Sequence, residues 1–293
     1  MKRLLSTLLA LCLALLPAAG LALGECGKTK DDYVSLTSLT EPYGFLMGAS
    51  YNYHQAVSDT AYMDFVKSHF ATVTCTNETK AYSLLNQIGC QMSKDGTPVM
   101  NYAQADRMVE WAQQNGLKVR GHVLVWDAYM CDWFFREGYK PDGAFVSPEV
   151  MDARMEFYIR TVMGHVYDHP NGSIVYSWDV VNEYWNADDS NWIAIYGAKN
   201  HNPSFVKLAF EIADDVLKDF GIRDKVTLIF NDFNTYMNTT HLLSIVEFIN
   251  SDGIVCDGFG MQAHLDTSFP STDSFKRTLK SFLDTGLEVQ ITE

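Results

Sequence analysis

The chain has 293 residues, with 22 Lys and Arg against 36 Asp and Glu, a formal charge of −14. Such a surface repels phosphate backbones, which argues against a nucleic-acid partner. Hydrophobic residues make up 47% and aromatic residues 13% of the chain, enough to bury a large single core and to exclude a disordered protein.

The first residues run Met1-Lys2-Arg3, then an apolar stretch from Leu4 to Leu16, then Pro17-Ala18-Ala19-Gly20. That is the charged, hydrophobic and small-residue order of a secretory signal, expected over residues 1–24. The apolar stretch is too short to span a bilayer comfortably. A secreted, extracellular protein with no membrane association after signal removal is the expectation, and residues 25–293 would form its one domain. Of six cysteines, Cys12 lies in the signal and Cys26, Cys75, Cys90, Cys131 and Cys256 follow at no metal-like spacing. A Cys75–Cys90 disulfide and separate buried thiols both fit this pattern. Asn77, Asn171 and Asn238 each open a glycosylation triplet.

Beyond the signal, short apolar runs alternate with longer segments of helical period, the pattern of a parallel sheet covered by helices. The expected strands are Phe45–Ala49, Thr72–Cys75, Lys118–Val125, Ile174–Asn182, Val226–Asn231, Asp257–Met261 and Leu287–Thr292. Helices are expected over Tyr102–Gln114 before Gly116, over Pro148–Tyr167, and over Ser204–Phe220, capped by Ser204 and ended by Gly221. Seven such units, with no Gly-rich phosphate loop after the first strand, suit a (β/α)8 TIM barrel better than an open doubly wound sheet. About seven of eight units are then present, and the barrel is expected to be incomplete at its C-terminal side.

Two glutamates stand at strand ends, Glu183 after Trp178-Asp179-Val180-Val181-Asn182 and Glu293 after Val289-Gln290-Ile291-Thr292. Paired carboxyl groups across a cleft, one protonated and one ionised, are what glycosidic cleavage requires. Tyr184, Trp185 and Trp192 near Glu183 suggest poorly hydrated surroundings of the kind that keep a carboxyl protonated. Taken singly, each glutamate also reads as a solvated strand end.

Five ordered segments give the pair its context: Asn77-Glu78-Thr79-Lys80, Gly121-His122-Val123-Leu124-Val125-Trp126, Trp178 to Glu183, Asn231-Asp232-Phe233-Asn234, and Gly260-Met261-Gln262-Ala263-His264. Ile291-Thr292-Glu293 closes the series. From about Tyr43 to Glu293 the chain resembles the family 10 glycoside hydrolases, endo-β-1,4-xylanases built on a (β/α)8 barrel. The resemblance implies Glu183 as acid/base and Glu293 as nucleophile of a retaining reaction on xylan. It implies that Asn182 bonds the sugar 2-hydroxyl, that His264 bonds the nucleophile, and that Gln262 stands near the acid/base. It places Asn77, Lys80, His122 and Trp126 on the xylose units of the non-reducing side. It implies a monomer that uses no cofactor or metal.

His122 and His264 also fit satisfied barrel histidines, Lys80 a surface charge, and Trp126 core. A cellulase or mixed β-1,4-glycanase on the same barrel, an inactive fragment, and a non-catalytic sugar-binding barrel are the rival readings. Two departures stand out. Thr76-Asn77-Glu78-Thr79-Lys80 replaces the usual Glu-Asn-x-Met-Lys, and Trp126-Asp127 replaces Trp-His.

Overall fold

In the computed structural model, which describes residues 32–186 and 190–293, seven strands lie side by side in chain order: β1 (Gly48–Tyr51), β2 (Thr72–Cys75), β3 (Lys118–Val125), β4 (Val175–Asn182), β5 (Thr227–Asp232), β6 (Gly258–Met261) and β7 (Glu288–Ile291). Every neighbouring pair is parallel. All strand C-termini therefore emerge on one face, the functional face of a (β/α) barrel. The expected signal, with Cys12 and Cys26, lies outside the described residues.

The sheet is curled. Arg120 on β3 donates from Nε to Gln290 Oε1 on β7 at 2.7 Å, and Gln290 Nε2 donates to Ser177 Oγ on β4 at 3.2 Å. β3 and β7 are four places apart, about 19 Å across a flat sheet. Only a barrel wall, with these side chains on its inner face, brings them into contact.

Helices pack on the outer face. Pro148–Asp168 buries Met151, Met155, Tyr158, Ile159, Val162 and Met163, and Ser204–Asp219 buries Phe205, Val206, Ala209, Phe210, Ala213 and Leu217. Both sets recur at three and four residue steps, forming the apolar stripe that covers β4 and its neighbours. Each full burial of such a side chain contributes about 1.5–3 kcal/mol.

The central strands lie where the hydrophobic pattern places them. The first does not: Phe45 and Leu46 are 54% and 43% exposed, and β1 begins at Gly48. An apolar run on an edge carries no information about which residues pair. The third helix also starts differently, with Pro203 as N-cap and Ser204 as its first residue, so no hydroxyl caps it. Gly221, at φ 64, ends it as expected. Cys75, Cys90, Cys131 and Cys256 are free thiols. Among the described residues no helix is long and apolar enough to cross a membrane.

Candidate active site

Strand register sets the site. Asn182 on β4 pairs with Asn231 on β5, Asn231 with Gly260 on β6, and Gly260 with Gln290 on β7. The row needs its glycine, because a Cβ on Gly260 would lie 2.2 Å from Asn231 Oδ1. With that space open, Asn231 Nδ2 reaches Asn182 Oδ1 at 2.8 Å and Glu293 Oε1 at 3.5 Å, while Thr292 Oγ1 donates to Asn231 Oδ1 at 2.7 Å.

Glu183 is the residue after β4. Its backbone N–H continues the ladder to Asn231 O at 2.9 Å, but its φ is 59°, in the left-handed region that non-glycine residues avoid. Such a conformation costs on the order of 1–3 kcal/mol and persists where the surroundings enforce it. Here they do, since Trp126 Nε1 donates to Glu183 Oε2 at 2.9 Å and Gln262 Nε2 to Oε1 at 2.8 Å.

The other face of Gln262 completes a bridge. Its Oε1 lies 2.9 Å from His264 Nε2, which lies 3.1 Å from Glu293 Oε2. Facing two acceptors, His264 Nε2 carries the ring hydrogen. Ala263 between them sits at φ 54, a turn that lets both neighbours reach the mouth. Glu183 and Glu293 are thus joined through two side chains, one bonding each carboxylate.

Asn182 is nearly fully buried, and its Oδ1 accepts from both Asn231 Nδ2 and Gln262 Nε2. Its Nδ2 is buried without a partner among the described residues. An orphan donor costs about 1–3 kcal/mol. Beside two carboxylates, it is bonding capacity kept for an acceptor that arrives with a ligand.

Lys80, in the loop after β2, is buried with its Nζ 3.9 Å from the Tyr129 ring and 4.9 Å from that of Trp126. Burial holds its pKa below the usual lysine value, against the opposing pull of Glu293, Glu183 and Glu78. Lys80 thus sits within electrostatic reach of all three carboxylates. Asn77 is half-buried in the same loop, its backbone N–H donating to Glu78 Oε2 at 3.2 Å. His122 Nδ1 lies 2.8 Å from Asp179 Oδ2, and its ring meets Trp126 edge-on at 5.4 Å.

The aromatic surroundings of Glu183 match expectation only in part. Tyr184 donates its hydroxyl to Asn200 O, Trp192 stacks on Phe205, and Trp185 stacks on His241. The indole that bonds the carboxylate is Trp126, from a different strand. Tyr184 and Trp192 nevertheless line one cavity with Glu183 and Trp126, so proximity in sequence found neighbours of the carboxylate but not its bonding partner.

Three buried charged groups in these motifs and strands have structural roles that the sequence pattern does not show. Arg120 forms a two-pronged ion pair with Asp179 inside the barrel. Burial would raise the Asp179 pKa, but Arg120 and His122 together hold it below the usual carboxylate value. A charged residue inside an apolar strand was the available signal, since such a charge needs a partner. Asp232 is the third. It accepts from Trp185 N at 3.1 Å, Asn186 Nδ2 at 2.8 Å and Phe233 N at 2.9 Å, tying down the loop that follows Glu183.

The two departures from the family pattern acquire structural duties. Thr76, where Glu is usual, donates its hydroxyl to Tyr51 O at 3.0 Å, and Thr79, where Met is usual, donates to His122 O at 2.5 Å, tying the loop after β2 to β1 and β3. Asp127 accepts from Asn191 N at 2.8 Å, fixing the loop after β4 against the loop after β3.

Burial, aided by the nearby charge of Glu183, pushes the Asp232 carboxyl up to about 7, despite three N–H donors that pull it down. A folded-state value above the unfolded one near 3.9 means the native protein keeps a proton that the unfolded chain releases. That stability is full below the unfolded value and is lost as pH rises through about 7. Relative to Asp232→Asn, the parent should lose about 4 kcal/mol between roughly pH 3 and pH 8. Urea unfolding across that range measures it, and parallel curves for the two proteins would contradict the buried titration.

Paired glutamates at the C-terminal ends of β4 and β7, hydrogen-bonded side chains between them and an indole beside them define a glycoside hydrolase site on a (β/α) barrel. The family model for glycosyl hydrolase family 10 matches residues 35–293, and the chain belongs to that family. It is 38% identical over 275 residues to endo-1,4-beta-xylanase A of Butyrivibrio fibrisolvens, covering 87% of this chain and 67% of that protein. It is 35% identical over 260 residues to the bifunctional endo-1,4-beta-xylanase XylA of Ruminococcus flavefaciens, covering 85% of this chain and 26% of that one. Among solved structures, the xylanase 10B modules of Clostridium thermocellum complexed with xylohexaose superpose with a TM-score of 0.77 at 27% identity, over 89% of this chain and 52% of that one. The chain thus spans from about a quarter to two thirds of these relatives.

Proposed function

We propose that this protein is a secreted endo-β-1,4-xylanase that hydrolyses internal bonds of xylan with retention of configuration. In the first step Glu183 gives its proton to the leaving glycosidic oxygen while Glu293 attacks the anomeric carbon, forming a xylosyl-enzyme. In the second Glu183 takes a proton from water, which displaces Glu293. His264 and Asn231 hold the Glu293 carboxylate in place. Asn182 offers its free Nδ2–H to the 2-hydroxyl of the sugar at the cleavage point, a contact that strengthens in the transition state.

The observation that carries this reading is the buried, unpartnered Asn182 Nδ2 in the row that links the two glutamates. Recognition rests on hydrogen bonds and stacking, because a chain of charge −14 lends no long-range attraction to a backbone that is neutral apart from acidic decorations. The leading segment at residues 1–24 supports secretion, tested by sequencing the N-terminus of protein recovered from culture medium. The substrate is tested by reducing-sugar release from xylan and from carboxymethylcellulose. Release from xylan with cellulose near background is expected. Faster release from cellulose would overturn the choice of xylose, and none from either would overturn the enzyme.

A further inference from the structure

Three aromatic rings form a continuous series outward from the acid/base glutamate. Trp126, bonded to Glu183, lies 4.4 Å from Tyr129 between ring centres, and Tyr129 lies 5.7 Å from Tyr82. Tyr82 comes from the short helix Ala81–Leu84 and Tyr129 from the turn after β3. Two different loops therefore converge to build the series.

Their state differs from that of tyrosines with folding duties. The phenols of Tyr51, Tyr62, Tyr139 and Tyr184 each donate to a backbone carbonyl. Tyr82 and Tyr129 are 44% and 38% exposed, and neither hydroxyl has a hydrogen-bond partner among the described residues. Lys80 covers Tyr129 at 3.9 Å, and among the described residues no cation covers Tyr82. Exposed rings with free hydroxyls, continuous with a sugar site, offer a flat C–H-binding face and a donor at its rim.

We infer that Tyr82 and Tyr129 form a distal sugar platform that holds pyranose units of the same polysaccharide beyond Trp126, on the non-reducing side. The inference rests on the proposed xylanase activity and extends that site outward. The occupant is a neutral sugar ring, because the series begins at the indole bonded to Glu183 and presents ring surface and hydroxyls at its outer end, with the nearby cation, Lys80, seated on the inner rings Trp126 and Tyr129. Such a platform adds binding energy remote from the cleaved bond, which a short substrate cannot reach.

The test compares kcat/KM on xylohexaose and on nitrophenyl β-xylobioside for the parent, Tyr82→Ala, Tyr129→Ala, and the two Phe variants. The ratio of long to short substrate is expected to fall about 3- to 10-fold in each Ala variant, and less in the Phe variants, which keep the ring face. Thermal unfolding of each variant checks that the fold is retained. An unchanged ratio, whether activity is lost on both substrates or on neither, overturns the platform and leaves the xylanase reading standing. A parent inert on both substrates overturns that reading and the platform with it.

Discussion

Replacing Glu293 by alanine is expected to abolish both steps on every substrate, lowering turnover by roughly 10⁴- to 10⁶-fold, the scale seen when a covalent nucleophile is removed. Replacing Glu183 should act differently. Acid assistance is worth about 10² to 10⁴-fold on xylan, where the leaving sugar needs a proton. With an aryl xyloside carrying a good leaving group, Glu183→Ala should still form the xylosyl-enzyme, and azide should rescue its slow breakdown. Glu293→Ala should show no burst with any aryl xyloside. Burst kinetics on two leaving groups make the comparison, and equal losses in both variants would contradict the division of labour.

The second large effect is on stability. Asp179 is fully buried on the inner face of β4, bound by both terminal nitrogens of Arg120 and by His122. Arg120→Met would leave that carboxylate with a single partner and strip Gln290 of its donor. Breaking one side of a buried pair costs about 3–5 kcal/mol, roughly 6–20 °C in the unfolding midpoint for a domain of this size. Adding Asp179→Asn to Arg120→Met should recover part of the loss, since the buried charge is gone. The pair also makes acid sensitivity specific. Asp179 titrates below its unfolded value, so its contribution is present above that value and is lost as pH falls through the folded one. Calorimetry on the single and double variants measures this, and a cost within 1 kcal/mol of zero would mean that the pair is not holding the barrel interior.

Much of the fold was legible because the central strands are continuous apolar runs between amphipathic helices. Lys118–Val125 and Thr72–Cys75 match β3 and β2 at both ends. The edge was not legible, since Phe45 and Leu46 are apolar without being buried. Both glutamates could be found at strand ends, and the motifs that resemble family 10 supplied Gln262, His264 and Asn182. How these meet depends on register across β4, β5, β6 and β7, and a linear pattern does not carry register. The same limit hid the work of Asn231, which reaches Asn182 and Glu293 only because Gly260 opposite lacks a side chain. It also hid the pairing of Arg120 with Asp179, two charges 59 residues apart.

The central claim is that Glu293 attacks the anomeric carbon and Glu183 serves first as acid and then as base. Retaining pairs place their carboxyl groups about 5–5.5 Å apart and release the first product in the configuration of the substrate. Proton NMR of the earliest products from xylohexaose tests this most directly, before mutarotation mixes the anomers. The β anomer should appear first, with the α signal growing only later. An initial α signal would contradict Glu293 as nucleophile and would make it the base of an inverting enzyme.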